Sequence, residues 1–132
     1  MRIFEIKAYD QVGLVKFGME RKRVREILGD FKEFKKTKYS INTTDDFADC
    51  HVFYNKENLC EAIEIFKEAK VLIDGTDLFK LSYEDFKRLL LKYDSDLKIT
   101  DDSITSKKIG VSVYAPDFNV ESILVFSKEY FD

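Results

Sequence analysis

His51-Val-Phe-Tyr-Asn-Lys-Glu-Asn-Leu-Cys-Glu-Ala-Ile-Glu-Ile-Phe-Lys-Glu-Ala69 returns, sixty positions on, as Val111-Ser-Val-Tyr-Ala-Pro-Asp-Phe-Asn-Val-Glu-Ser-Ile-Leu-Val-Phe-Ser-Lys-Glu129. Tyr54 falls on Tyr114, Glu61 on Glu121, Ile63 on Ile123 and Phe66 on Phe126. Each block is an apolar run, a turn and a second apolar run, the pattern of a β-hairpin. In the second block Pro116 sets the turn, and Ser122 to Phe126 is apolar almost throughout, as in a strand covered on both faces.

Upstream of each block lies a helix signal. Val24, Ile27 and Leu28 share one helical face over Glu20 to Leu28, and Gly29 supplies a stop. Ser82 opens a second helix with Asp85 three residues on, a capping-box variant, and Phe86, Leu89, Leu90 and Tyr93 form its apolar stripe. Phe17, Met19, Val24, Leu28 and Phe31 then answer to Phe79, Leu81, Phe86, Leu90 and Tyr93. Strands are expected at Arg2 to Ile6, Leu14 to Phe17, Phe31 to Lys38 with Phe31 inward, Lys70 to Ile73 and Asp96 to Thr100. Ser40 to Asp49 and Asp101 to Lys108 read as polar loops. The expected fold is α+β: one domain, 1–132, of two similar halves, about 1–75 and 76–132, each a helix packed on an antiparallel meander.

The step Phe17-Gly18-Met19, then Val24, then Leu28-Gly29 resembles the helix-plus-meander repeat of the beta-lactamase inhibitor protein-like fold, shared by SmpA-type lipoproteins. The second copy, Leu78-Phe79-Lys80-Leu81 with Phe86 and Leu90, lacks both glycines. Gly110-Val-Ser-Val-Tyr-Ala-Pro116 resembles, more loosely, a step in small bacterial proteins, several of which serve as immunity partners of secreted toxins. The first resemblance implies the fold; the second implies a protein partner.

Length and composition suit a soluble globular chain of 132 residues, 45% apolar and 36% charged, with 12 Phe, 7 Tyr and no Trp. The net charge of −3 argues against a general nucleic-acid binder. It conceals an asymmetry, because residues 1–40 hold 11 Lys and Arg against 6 Asp and Glu. No apolar run reaches membrane-spanning length and the start has no signal-peptide apolar stretch, so a cytoplasmic protein with no membrane association is expected. Cys50 and Cys60 are expected as buried free thiols.

Little in the sequence points to catalysis. The single histidine, His51, sits in an apolar run, and as a strand neighbour of Cys50 it points to the opposite face, which argues against a zinc site. The five glycines stand apart, so there is no phosphate loop. Neither cofactor nor metal is expected. The reading is a non-enzymatic protein-binding inhibitor, a cytosolic immunity protein that neutralises a toxin domain, possibly a nuclease, by covering its surface. The expected partner-binding residues are acidic: Asp45, Asp46 and Asp49 in one loop, with Asp94, Asp96, Asp101 and Asp102 in the other half. The alternatives are a scaffolding module of the same fold, or a small ligand-binding protein or enzyme using carboxylates and Tyr114.

Overall fold

The computed structural model describes residues 1–131. It is α+β, with two helices and two mostly antiparallel sheets. The chain begins with three short strands, β1 (Ile3–Lys7), β2 (Gln11–Val12) and β3 (Val15–Lys16), then helix α1 (Arg21–Leu28). A meander follows: β4 (Lys32–Phe34), β5 (Thr44–Asp46), β6 (Cys50–Tyr54) and β7 (Cys60–Phe66). The order then recurs as β8 (Lys70–Ile73), β9 (Thr76–Asp77), a 3₁₀ turn (Leu78–Lys80) and helix α2 (Tyr83–Tyr93). A second meander closes the chain: β10 (Lys98–Ile99), β11 (Ser103–Ser106), β12 (Val111–Tyr114) and β13 (Ser122–Phe126). Among the described residues no helix is long and apolar enough to cross a membrane.

The two meanders form one eight-stranded sheet, β10-β11-β12-β13-β7-β6-β5-β4, joined antiparallel at β13 and β7. Its register is that of a pseudo-dyad. Ile63 pairs with Val125 and Ile65 with Ile123, so exchanging each residue for its counterpart in the other block reproduces the pairing, centred on Glu64 opposite Leu124. The five-stranded sheet, β3-β2-β1-β8-β9, contains the one parallel pair, β1 with β8. Val24 and Leu28 of α1 and Phe86 and Leu90 of α2 enter a single core with Phe4 and Val71 of the small sheet and Ile63 and Ile123 of the large one. The opposite, outer face of the large sheet carries a small cluster of Phe53, Ala62 and Phe126, overlain by Tyr9 and Tyr130.

The helix boundaries follow local chemistry. Ser82 accepts a hydrogen bond from the Asp85 amide (3.1 Å), the N-cap expected of it. At the end of α1, Gly29 has φ 89° and its amide donates to the Arg25 carbonyl (2.9 Å), while Arg2 donates to the Leu28 carbonyl (2.8 Å).

Several expectations are corrected. The strand expected over Leu14 to Phe17 is β3 alone, Val15–Lys16, because Leu14 still belongs to the turn from β2 and Phe17 already to the next one. Phe31 points outward, 40% exposed, with the Arg25 guanidinium 3.9 Å above its ring. Both polar loops contain strands: β5 lies within Ser40 to Asp49, and β11 with the fully buried Ile104 lies within Asp101 to Lys108. The strand expected over Asp96 to Thr100 is only Lys98–Ile99, the edge strand β10, on which Ile99 is 46% exposed.

The match of Tyr54 with Tyr114 is one residue out. Val52 pairs with Ile63 as Val113 pairs with Ile123, so Val52 answers to Val113 and Tyr54 to Ala115. In β-structure a single-residue slip exchanges the faces. Tyr54 accordingly lies in the core, whereas Tyr114 is on the outer face, 44% exposed.

Candidate protein-binding surface

The corrected alignment shows where the halves diverge. Carried outward across the sheet, Val52 pairs with Asp45 and Asp45 with Glu33, while Val113 pairs with Ile104 and Ile104 with Ile99. The first half therefore places two carboxylates where the second half places two isoleucines. Asp45 has no exposed surface. Its two oxygens accept from Nε and Nη2 of Arg25 (2.8 Å each), and the Tyr54 hydroxyl donates to it as well (2.8 Å). Such a bidentate, charge-assisted pair is what makes a buried carboxylate tolerable. The bond to Asp45 holds the Arg25 guanidinium charged well beyond the usual arginine range. Burial, reinforced by the same carboxylate, pushes the Tyr54 phenol far up.

Arg21, one helical turn before Arg25, extends this network to a loop. It lies over the Tyr54 ring (4.1 Å) and donates to the Thr43 hydroxyl (2.7 Å), the Thr43 carbonyl (2.7 Å) and the Asn42 side-chain oxygen (3.0 Å). The Thr43 hydroxyl donates a hydrogen bond to Glu33 (2.8 Å), and that bond, with Arg25 and Arg21 nearby, holds the Glu33 carboxyl below its ordinary value. Asn42 also donates to the Asn55 carbonyl (3.0 Å), tying the loop to the β6–β7 hairpin.

The loop so fastened runs over residues 35–43, nine residues between β4 and β5, against three, 100–102, between β10 and β11. It is ordered by its own bonds: the Thr37 amide donates to the Ser40 hydroxyl (3.0 Å), the Ser40 amide to the Thr37 carbonyl (3.1 Å), and the Tyr39 amide to the Thr37 hydroxyl (3.1 Å). At its tip Tyr39 is 82% and Ile41 86% exposed. Large apolar side chains on a fastened loop are a feature of recognition surfaces.

Beside the loop runs a groove of about 610 Å³, bounded by Tyr39, Ile41, Tyr54, Glu61 and Tyr130. Lys36, whose ammonium rests 4.6 Å from the Phe53 ring, also borders a trough of about 200 Å³ that crosses the outer sheet face to Ser103 and Tyr114. That face further carries His51 between Phe34 and Phe66, with ring centres 5.1 and 4.8 Å away, and Asp46 3.5 Å from its Nε2. His51 is thus a strand-surface histidine.

The seven aspartates do not form one surface. Asp45 is buried and fully engaged. Asp94 is buried too, accepting from the Ser106 hydroxyl (2.7 Å) and the Asp96 amide (2.8 Å), bonds that hold its carboxyl below the ordinary range. Asp46 accepts from the Ala48 amide (2.8 Å), and Asp49 pairs with Arg2 (3.4 Å). Asp96, Asp101 and Asp102 are exposed. Five strand spacings separate β5 from β11, which at about 4.8 Å each is roughly 24 Å. Sequence alone missed Arg21, Arg25 and the 35–43 loop, because an arginine on a helix face looks solvated until the strand opposite it is known.

Cys50 and Cys60 are buried and free, and burial pushes the Cys60 thiol up to about 12. Among the described residues no three His, Cys, Asp or Glu side chains are grouped to hold a metal ion. No family model, curated protein or solved structure matches this chain.

Proposed function

We propose that this chain is a non-enzymatic protein-binding inhibitor, a cytosolic immunity protein that keeps a bacterial toxin domain inactive by covering it. The observation that carries the reading is the 35–43 loop. One half of a pseudo-symmetric fold has a longer loop, an arginine, Arg21, that fastens it at Asn42 and Thr43 beside the buried Arg25–Asp45–Tyr54 network, and two almost fully exposed apolar side chains at its tip. Burying such anchors against a partner supplies most of an interface's energy from few residues. The outer sheet face, with Tyr114, Phe34, Phe66 and Lys36, continues the contact surface away from the loop. A standard interface of about 800 Å² per partner reaches across it.

Of the acidic residues expected at the contact, the proposal retains Asp96, Asp101 and Asp102. Asp102 adjoins Ser103 at the far end of the outer-face trough, where it would steer a basic partner. Asp45 and Asp94 are assigned to the framework. The direct test is co-purification of the chain with the C-terminal domain of a toxin encoded beside its gene. A stable complex that abolishes the toxin's activity is the expected outcome; failure to bind any neighbouring gene product removes the proposal.

A further inference from the structure

Glu61 occupies an unusual place in the sheet. Phe53 pairs with Ala62, but the next residue, Tyr54, pairs with Cys60, so Glu61 is an extra residue with no partner across the ladder. A bulge of this kind re-aims a side chain away from the regular alternation of faces. Here Glu61 borders two adjoining grooves. One is the groove beside the 35–43 loop; the other, of about 430 Å³, is bounded by Tyr9, Phe17 and Leu59. Asn55, Glu61 and Glu129 line both, so the two grooves adjoin at Glu61 and together form a channel along the β6–β7 hairpin and the C-terminal segment.

The Glu61 carboxylate takes part in none of the ion pairs or side-chain hydrogen bonds among the described residues. Burial pushes it above its ordinary range, as expected of a carboxylate with no counter-charge. Three lysines border the channel: Lys36 lies 4.6 Å from the Phe53 ring, Lys128 lies 5.6 Å from the Tyr9 ring, and Lys56, on the exposed hairpin turn, takes part in none of the ion pairs among the described residues. The walls therefore already receive cations at both ends, and the acidic group between them has none.

We propose that Glu61 anchors an arginine or lysine side chain of the protein partner, received in this channel with its stem against Tyr9, Tyr130 and Phe17. The inference rests on the protein-binding reading and adds the partner's chemistry to it. An aliphatic stem on aromatic walls with a charged head on a part-buried carboxylate combines apolar contact, cation–π attraction and a charge-assisted hydrogen bond in one subsite. The exposed Glu129 carboxylate, which borders both grooves, would take the head group's remaining donors.

The test titrates the full chain, ¹⁵N-labelled, with N-acetyl-arginine amide, and with N-acetyl-citrulline amide as the uncharged analogue of the same shape. Saturable shifts at the Asn55, Glu61, Glu129 and Tyr130 amides are expected with arginine, at least tenfold weaker with citrulline. Glu61→Gln should weaken arginine binding tenfold or more while leaving the thermal midpoint of the protein within a few degrees. Arginine binding that is unsaturable, that maps elsewhere, or that survives Glu61→Gln overturns the proposal. Loss of partner binding in loop variants, with no arginine site, leaves the protein-binding reading standing and removes only this subsite.

Discussion

Replacing Asp45 by alanine isolates the device that distinguishes the two halves. The substitution deletes the acceptor of two Arg25 hydrogen bonds and of the Tyr54 hydroxyl, all at 2.8 Å, from a site with no solvent exposure. Removing one member of a buried ion pair costs about 3–5 kcal/mol. Arg25 keeps a quarter of its side-chain surface in water and still reaches Glu33 at 3.1 Å, which places the expected loss at the lower end. A loss of about 3 kcal/mol corresponds to a fall of roughly 9–15 °C in Tm for a chain of this size. The second half supplies the control. Lys87, Ile99 and Ile104 stand where Arg25, Glu33 and Asp45 stand, so Arg25→Lys/Glu33→Ile/Asp45→Ile/Tyr54→Phe removes both carboxylates and the buried hydroxyl, and leaves at position 25 an ammonium whose flexible stem can carry it to water. Replacing a buried pair by well-packed apolar groups is often neutral or stabilising. The fourfold variant should therefore melt above Asp45→Ala in calorimetry or circular dichroism. A midpoint for Asp45→Ala within about 2 °C of wild type, or a fourfold variant less stable than the single one, would refute the reasoning.

Other consequences are local. Leu90→Ala should cost about 2–5 kcal/mol in denaturant unfolding, and more than Leu89→Ala, because Leu90 is fully buried and Leu89 only half-buried. Gly110→Ala should lower stability by about 2 kcal/mol or more, since the residue has φ 71° and an added Cβ would lie 2.7 Å from the Phe126 carbonyl oxygen; an unchanged midpoint would contradict the close packing of Tyr9 and β13 there. Glu61 gives a pH signature. Its folded pKa is raised above the ordinary 4.5, so the folded state holds the proton more tightly, and the stability contributed by Glu61 should fall as pH climbs from 4.5 through the raised value. Glu61→Gln lacks that loss, so its stability relative to wild type should grow across this window and stay flat below it.

Much of the framework was legible because it rests on periodicity. The stripes Val24, Leu28 and Phe86, Leu90 located both helices, and the matched runs ending at Phe66 and Phe126 located the central strands that join the halves. Strand β5 was not legible. Thr43-Thr44-Asp45-Asp46 has the composition of a solvated turn, and only Arg25 reaching across from α1 makes burial of Asp45 affordable. Strand β11 was hidden by its flanking aspartates and lysines, with a single apolar residue, Ile104, marking the inward face. The Tyr54–Tyr114 match misled because residue identity takes no account of a bulge, whereas pairing registers do. The sequence directed attention to loop charges where the halves differ, and the difference lies instead in a long loop, two exposed apolar residues and the arginines behind them.

The central claim is that the 35–43 loop binds a protein. Isothermal titration of the proposed partner, a toxin domain encoded beside the gene, against wild type and Tyr39→Ala/Ile41→Ala tests it most directly. Both side chains are more than four-fifths exposed, so the variant should melt within about 1–2 °C of wild type. Its affinity should fall at least tenfold, about 1.4 kcal/mol, as expected for truncating interface anchors. A variant that binds as tightly as wild type would contradict the account.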